Sequence, residues 1–113
     1  MLNSGDVVNL DFGAPSGRAA GFRHPAVVVT AQAVLEKSPN VVQVIPLTGT
    51  LRGFGSEIVI TADDHNALTV DSAAQCQHIR SVSVGRVESV RGNVGSTILA
   101  EIRQVLGILM DIT

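Results

Sequence analysis

Short apolar runs follow one another along this 113-residue chain, and helical periodicity sets in only at its end. That order constrains the fold more than any other feature. Residues 6–12 set Val7, Val8, Leu10 and Phe12 in partial alternation with Asn9 and Asp11, as in a strand. Residues 26–30 are a nearly continuous β-branched run and read as a buried strand. Residues 41–47 are a third strand, with Pro46 near its end as at a sheet margin. Residues 57–61 put Ile58 and Ile60 on one face, residues 70–79 contain a further extended segment, and residues 89–94 form the last. A short helical turn is expected at residues 31–36. Over residues 96–110 the period changes: Ile98, Leu99, Ile102, Val105, Leu106 and Leu109 fall on one helical face. Ser96 is the expected N-cap, and Gly107 predicts a fraying last turn. Five or six strands and then one helix do not make the alternation of a parallel α/β sheet. The pattern predicts one α+β, mainly β, domain over residues 1–113. It would be a small, strongly bent antiparallel sheet or partly open barrel with the helix packed on one side.

Composition narrows the class of function. Charged residues are 16% and hydrophobic residues 45%, so the chain hides much apolar surface, in a well-filled core or against a second copy or standing partner. The net charge is −2, which excludes a global basic field; any nucleic-acid contact must be local. The cations are Lys37 and seven arginines, the side chain suited to bidentate phosphate recognition. A lone Cys76 cannot form an internal disulfide, which fits a reducing cytoplasm, and reads as a buried, inert thiol. The N-terminus has no secretory pattern, and no apolar run approaches the ~20 residues of a membrane span. His24, His65 and His78 show no ligand spacing, so neither metal nor cofactor is expected. Asp63-Asp64-His65 reads as a solvated turn, and Asp71-Ser72 as a turn ordering the next strand.

Two segments carry chemistry. In Gly21-Phe22-Arg23-His24-Pro25-Ala26-Val27-Val28-Val29, a cation and an imidazole end a long glycine-containing loop just before a buried run. In Val44-Ile45-Pro46-Leu47-Thr48-Gly49-Thr50, two hydroxyls follow one. Arg, His and Thr at strand ends are suitable groups for gripping and cleaving a phosphodiester.

These segments resemble the MazF/PemK toxins, the ribonuclease components of bacterial toxin–antitoxin pairs. The likeness runs nearly end to end: Gly5-Asp6-Val7-Val8, Asp11-Phe12-Gly13, Arg23-His24-Pro25-Ala26-Val27-Val28-Val29, Val44-Ile45-Pro46-Leu47-Thr48, Asp71-Ser72, Ile79-Arg80-Ser81-Val82 and Leu106-Gly107-Ile108. The resemblance implies an SH3-like, partly open antiparallel barrel with a C-terminal helix. It also implies a homodimer and a small acidic, MazE-like antitoxin. The implied activity is metal-independent, sequence-specific cleavage of single-stranded RNA, in which the substrate's 2′-hydroxyl attacks the neighbouring phosphate. The products are a 2′,3′-cyclic phosphate and a 5′-hydroxyl.

The family's functional pair is the Arg before the proline and the Thr after Pro-Leu. The threonine carries over to Thr48. The residue before Pro25, however, is His24, with Arg23 one place earlier, and the acid usual in the first loop is replaced by Gly17-Arg18-Ala19. Neighbouring side chains of an extended strand face opposite ways, so the exchange sends Arg23 to the wrong side: either the enzyme is weakened or retuned, or His24 takes the catalytic face. Arg23 or Arg18 would then steady the phosphorane charge. Arg23, His24 and Thr48 are therefore the expected catalytic residues, and Arg18, Thr50, Arg52 and Arg80 the expected RNA contacts. A rival expectation is a non-enzymatic CcdB-like toxin that clamps a protein such as DNA gyrase. A third is a decayed toxin that only binds antitoxin.

Overall fold

The computed structural model describes residues 1–11 and 23–112. Seven strands and two helices follow in the order β1 (Asp6–Asp11), β2 (Arg23–Val28), α1 (Gln32–Leu35), β3 (Val41–Thr48), β4 (Glu57–Ile60), β5 (Ser72–Gln75), β6 (Arg80–Ser83), β7 (Val87–Asn93) and α2 (Gly95–Leu109). Short 3₁₀ turns at Cys76–His78 and Val84–Arg86 flank β6. All pairings are antiparallel, in the order β4-β5-β3-β2-β1-β7. β6 joins the sheet by pairing with the first half of β3, through Val41–Val44, while β5 pairs with its end, at Leu47 and Thr48. The sheet thus forks along one edge of β3. This adds one strand to the five or six expected: the extended segment within 70–79 is β5, and the 3₁₀ turn after it re-aims the chain into β6.

Alternation along the strands builds a core on each sheet face. Val7, Val27, Ile45, Leu47, Ile60 and Ala74 join Leu99 and Ile102 of α2 on one face. Val8, Leu10, Ala26, Val28, Val42, Val44 and Val82 pack with Leu35 of α1 on the other. Ile102 is fully buried, and burial of such a side chain contributes about 1.5–3 kcal/mol. The predicted stripe on α2 faces this core up to Leu106: Leu99 and Ile102 are buried, and Ile98, Val105 and Leu106 pack against them, whereas Leu109 is exposed.

Both helix-end expectations are corrected. Ser96 lies inside α2; the N–H of Gly95 is instead bonded by Asn93 Oδ1 at 2.8 Å, while Asn93 Nδ2 donates to Ser4 O and Asp6 Oδ1, each at 3.0 Å. Gly107 does not fray the last turn. Asp111 takes φ 57°, and the N–H of Ile112 reaches back to the carbonyl of Gly107 at 2.8 Å, a Schellman closure. A Cβ on residue 107 would sit 2.8 Å from the Ile112 carbonyl oxygen, so the glycine admits the returning chain.

The Asp63-Asp64-His65 segment is a turn, as expected. Asp63 Oδ1 accepts the N–H groups of His65 (2.9 Å) and Asn66 (2.7 Å). Cys76 is buried, and burial pushes its thiol up to about 11. No helix of the described residues is long and apolar enough to cross a membrane.

Candidate active site

β2 and β3 pair through Ala26↔Pro46, Val27↔Ile45 and Val28↔Val44. Two further residues of that register carry β2 to His24 and β3 to Thr48. Alternation then fixes the faces. Ala26 and Val28, like Val42 and Val44, belong to the α1-side core. His24 and Thr48 share that parity and occupy the same sheet face, at the adjacent ends of neighbouring strands. Both are half-buried. Arg80 stands opposite Val44 in the β3–β6 pairing, which puts it on this face as well, and it is exposed.

The local hydrogen bonds orient two of these groups. His24 Nδ1 lies 3.1 Å from the carbonyl oxygen of Pro25. A carbonyl only accepts, so a neutral ring carries its proton on Nδ1 and its lone pair on Nε2. Thr48 Oγ1 accepts the N–H of Thr50 at 3.1 Å. With that lone pair engaged, the hydroxyl still has its own proton to donate. Thr50 is itself exposed and acts here through its backbone.

Arg23 does not converge with His24. It takes the opposite face, and its Nε lies 3.0 Å from Glu88 Oε1. Glu88 is the extra residue where the β1–β7 register shifts between Asn9 and Leu10, a bulge that aims the acid at the end of β2. The Arg23 side chain is 73% exposed, so the pair contributes about 0.2–1 kcal/mol. Arg18 and the loop over residues 13–22 lie outside the described residues.

Arg52 is committed elsewhere. Its Nη2 bonds Glu57 Oε2, and its guanidinium carbon stacks 4.4 Å from the centre of the Phe54 ring. The Glu57 side chain is 2% exposed. Its Oε2 also accepts from Gln77 Nε2 (2.8 Å) and Gln75 Nε2 (3.3 Å), and Gln77 in turn accepts the Ser56 hydroxyl at 3.0 Å. The hydrogen bond from Gln77 holds the Glu57 carboxyl below its ordinary value; burial opposes this, and Arg52 and Gln75 add to the lowering. Sequence reasoning treated Glu57 as a strand start and missed both this network and Glu88. The signal available was an acid opening an otherwise apolar run. Among the described residues, no three His, Cys, Asp or Glu side chains gather in a group that could hold a metal.

A mainly β sheet forked at β3 and backed by a C-terminal helix defines the fold class, and solved structures share it. A MazE–MazF complex from Deinococcus radiodurans matches with TM-score 0.79 and 25% identity, covering 99% of this chain and 97% of that one. The Mycobacterium tuberculosis toxin MazF-mt6 matches with TM-score 0.76 over 96% of this chain and 98% of that one, and at 18% identity it speaks to the fold alone. Endoribonuclease MazF9 of Mycobacterium tuberculosis is 28% identical across 99% of this chain and 98% of its own length. The model of the PemK-like, MazF-like toxins of type II toxin–antitoxin systems matches residues 3–110. The chain belongs to that family.

Proposed function

We propose that this protein is an endoribonuclease toxin that cuts single-stranded RNA through the substrate's own 2′-hydroxyl, with no metal or cofactor. One observation carries the reading: His24 and Thr48 share a sheet face at adjacent strand ends, with His24 Nδ1 beside the Pro25 carbonyl and Thr48 Oγ1 accepting the Thr50 N–H.

In the reaction, His24 Nε2 takes the 2′-hydroxyl proton as O2′ bonds to phosphorus. Thr48 donates to a non-bridging oxygen as charge builds on the phosphorane. The P–O5′ bond then breaks, and the 5′ oxygen takes a proton from water. The products are a 2′,3′-cyclic phosphate and a 5′-hydroxyl end. Arg80 stands on the same face to attract the strand, with Thr50 and, from the first loop, Arg18 as further RNA contacts. Arg23, on the far face against Glu88, contributes charge at the rim rather than proton transfer. Arg52 serves the RNA through the ring it supports.

The likeness to a toxin solved with MazE supports a small acidic antitoxin as partner. The exposed Ile108, Leu109, Met110 and Ile112 at the end of α2 support association with a second copy.

The test incubates the protein with a mixed RNA pool and maps the new 5′-hydroxyl ends. A 2′-deoxy residue at a mapped site should abolish cutting there, and chelation of divalent metals should leave it unchanged. His24→Ala should slow cleavage ~10²–10⁴-fold, and Thr48→Ala ~10²–10³-fold, with the fold intact. Growth inhibition that survives both substitutions would instead favour the protein-clamping reading.

A further inference from the structure

The Arg52–Phe54 pair is a built feature that the cleavage chemistry does not use. Phe54 is the one phenylalanine among the described residues, and it is half exposed. Arg52 stacks on its ring, and the buried Glu57 carboxylate, with Gln77 and Gln75, fixes Arg52. Glu57 Oε1 is buried with no hydrogen-bond partner, so the carboxylate is answered through Oε2, by Gln77, Gln75 and the Arg52 cation, which it holds in place. An exposed aromatic side chain is costly to leave in water, and a guanidinium pinned beneath it makes the ring a rigid plate.

The sheet register puts the support of this plate on the active-site face. Leu47, Ala74, Ile58 and Ile60 all face the α2-side core. The alternate positions, Thr48↔Ala73 and Ala73↔Val59, then Gln75↔Glu57, face the other way, toward the side of His24 and Arg80. Glu57 is two strands across and two residues along from Thr48, about 12 Å by ordinary sheet spacings. The turn that carries Phe54 closes directly onto it, with the Glu57 N–H bonded to the Phe54 carbonyl at 3.0 Å.

We infer that the Phe54 ring, braced by Arg52 and the Glu57 network, is a stacking platform for one unpaired base of the RNA, close to the scissile phosphate. The inference rests on the ribonuclease reading. A base is the occupant because the ring is flat and backed by a cation, is tied through Arg52 to Glu57 on the face of Thr48, and sits in the loop that follows Thr48. Because Glu57 already answers the charge of Arg52, its contribution is through the π-face rather than through a phosphate. Stacking of this kind tolerates any base, so the platform adds affinity and sets where the strand lies, leaving sequence to be read elsewhere.

The test uses Phe54→Leu, which keeps apolar bulk and spares the Arg52–Glu57 pair, and Phe54→Trp, which keeps a π-face. The probe is a random-sequence, single-stranded 2′-O-methyl RNA, which cannot be cut. Phe54→Leu should weaken binding about tenfold and raise KM on cleavable RNA with kcat unchanged. Phe54→Trp should bind at least as well as the parent. An abasic strand of the same length should bind parent and Phe54→Leu equally. Unchanged affinity of Phe54→Leu in a parent protein that cleaves RNA would overturn the platform and leave the ribonuclease standing. So would Phe54→Leu losing antitoxin binding but not RNA binding. A parent protein that neither binds nor cuts RNA would overturn both.

Discussion

Single side chains in this protein are set by what the sheet lets them reach. Glu57 shows the consequence for stability. Its carboxyl is held below the ordinary 4.5, first by Gln77 and then by Arg52 and Gln75. A depressed carboxyl stabilises the fold above the unfolded value, and that contribution fades as pH falls through the folded one. Melting temperature should therefore drop from about pH 6 toward about pH 3. Glu57→Gln should melt lower than the parent at neutral pH, with the gap narrowing below about 4.5; a gap constant across this range would remove Glu57 from the acid response. Arg23 and His24 illustrate the other limit. They are neighbours in sequence, yet strand alternation sends the guanidinium to Glu88 and leaves the imidazole on the face of Thr48.

At the scale of elements, β7 is held as much by what it lacks as by what it bonds. A Cβ on residue 92 would lie 2.2 Å from the carbonyl oxygen of His65. The adjacent N–H of Asn93 donates to that same carbonyl at 2.9 Å. Gly92→Ala should cost about 3 kcal/mol, read as a lower urea midpoint; a stability loss within about 0.5 kcal/mol would mean that the turn at 63–67 moves freely. The strands β1 and β3 and the stripe of α2 were legible because each has enough consecutive residues to display its period, and the short β4 because Ile58 and Ile60 mark one face. β6 was not: four residues between two 3₁₀ turns, Arg80-Ser81-Val82-Ser83, carry one buried side chain and no pattern. The cap of α2 was hidden for a different reason. Its bonding oxygen comes from Asn93, a residue shared with the N-terminal turn. At the site, the strand-end positions of His24 and Thr48 could be read from the sequence, but their common face follows only from the β2–β3 register. The partner of Arg23 could not, because it lies 65 residues away at a bulge whose register only the folded sheet defines.

The whole molecule carries net charge −2, so RNA meets no long-range attraction and binding depends on a few local groups. Each phosphate neutralised on a single strand changes the slope of log affinity against log salt by about −0.7. With Arg80 on the face of His24 and Thr48, and Arg52 answered by Glu57, the slope for the uncleavable RNA should lie near about −1 to −2. A slope steeper than about −4 would mean that further cations track the phosphates. The sheet's connectivity also bears on how the chain is made. β1 takes β2 on one edge, but its other edge waits for β7, which comes five strands later. Until β7 has left the ribosome, that edge is unpaired backbone, open to any neighbouring strand. A product cut off ahead of β7 therefore exposes a sticky border, which only the seventh strand seals.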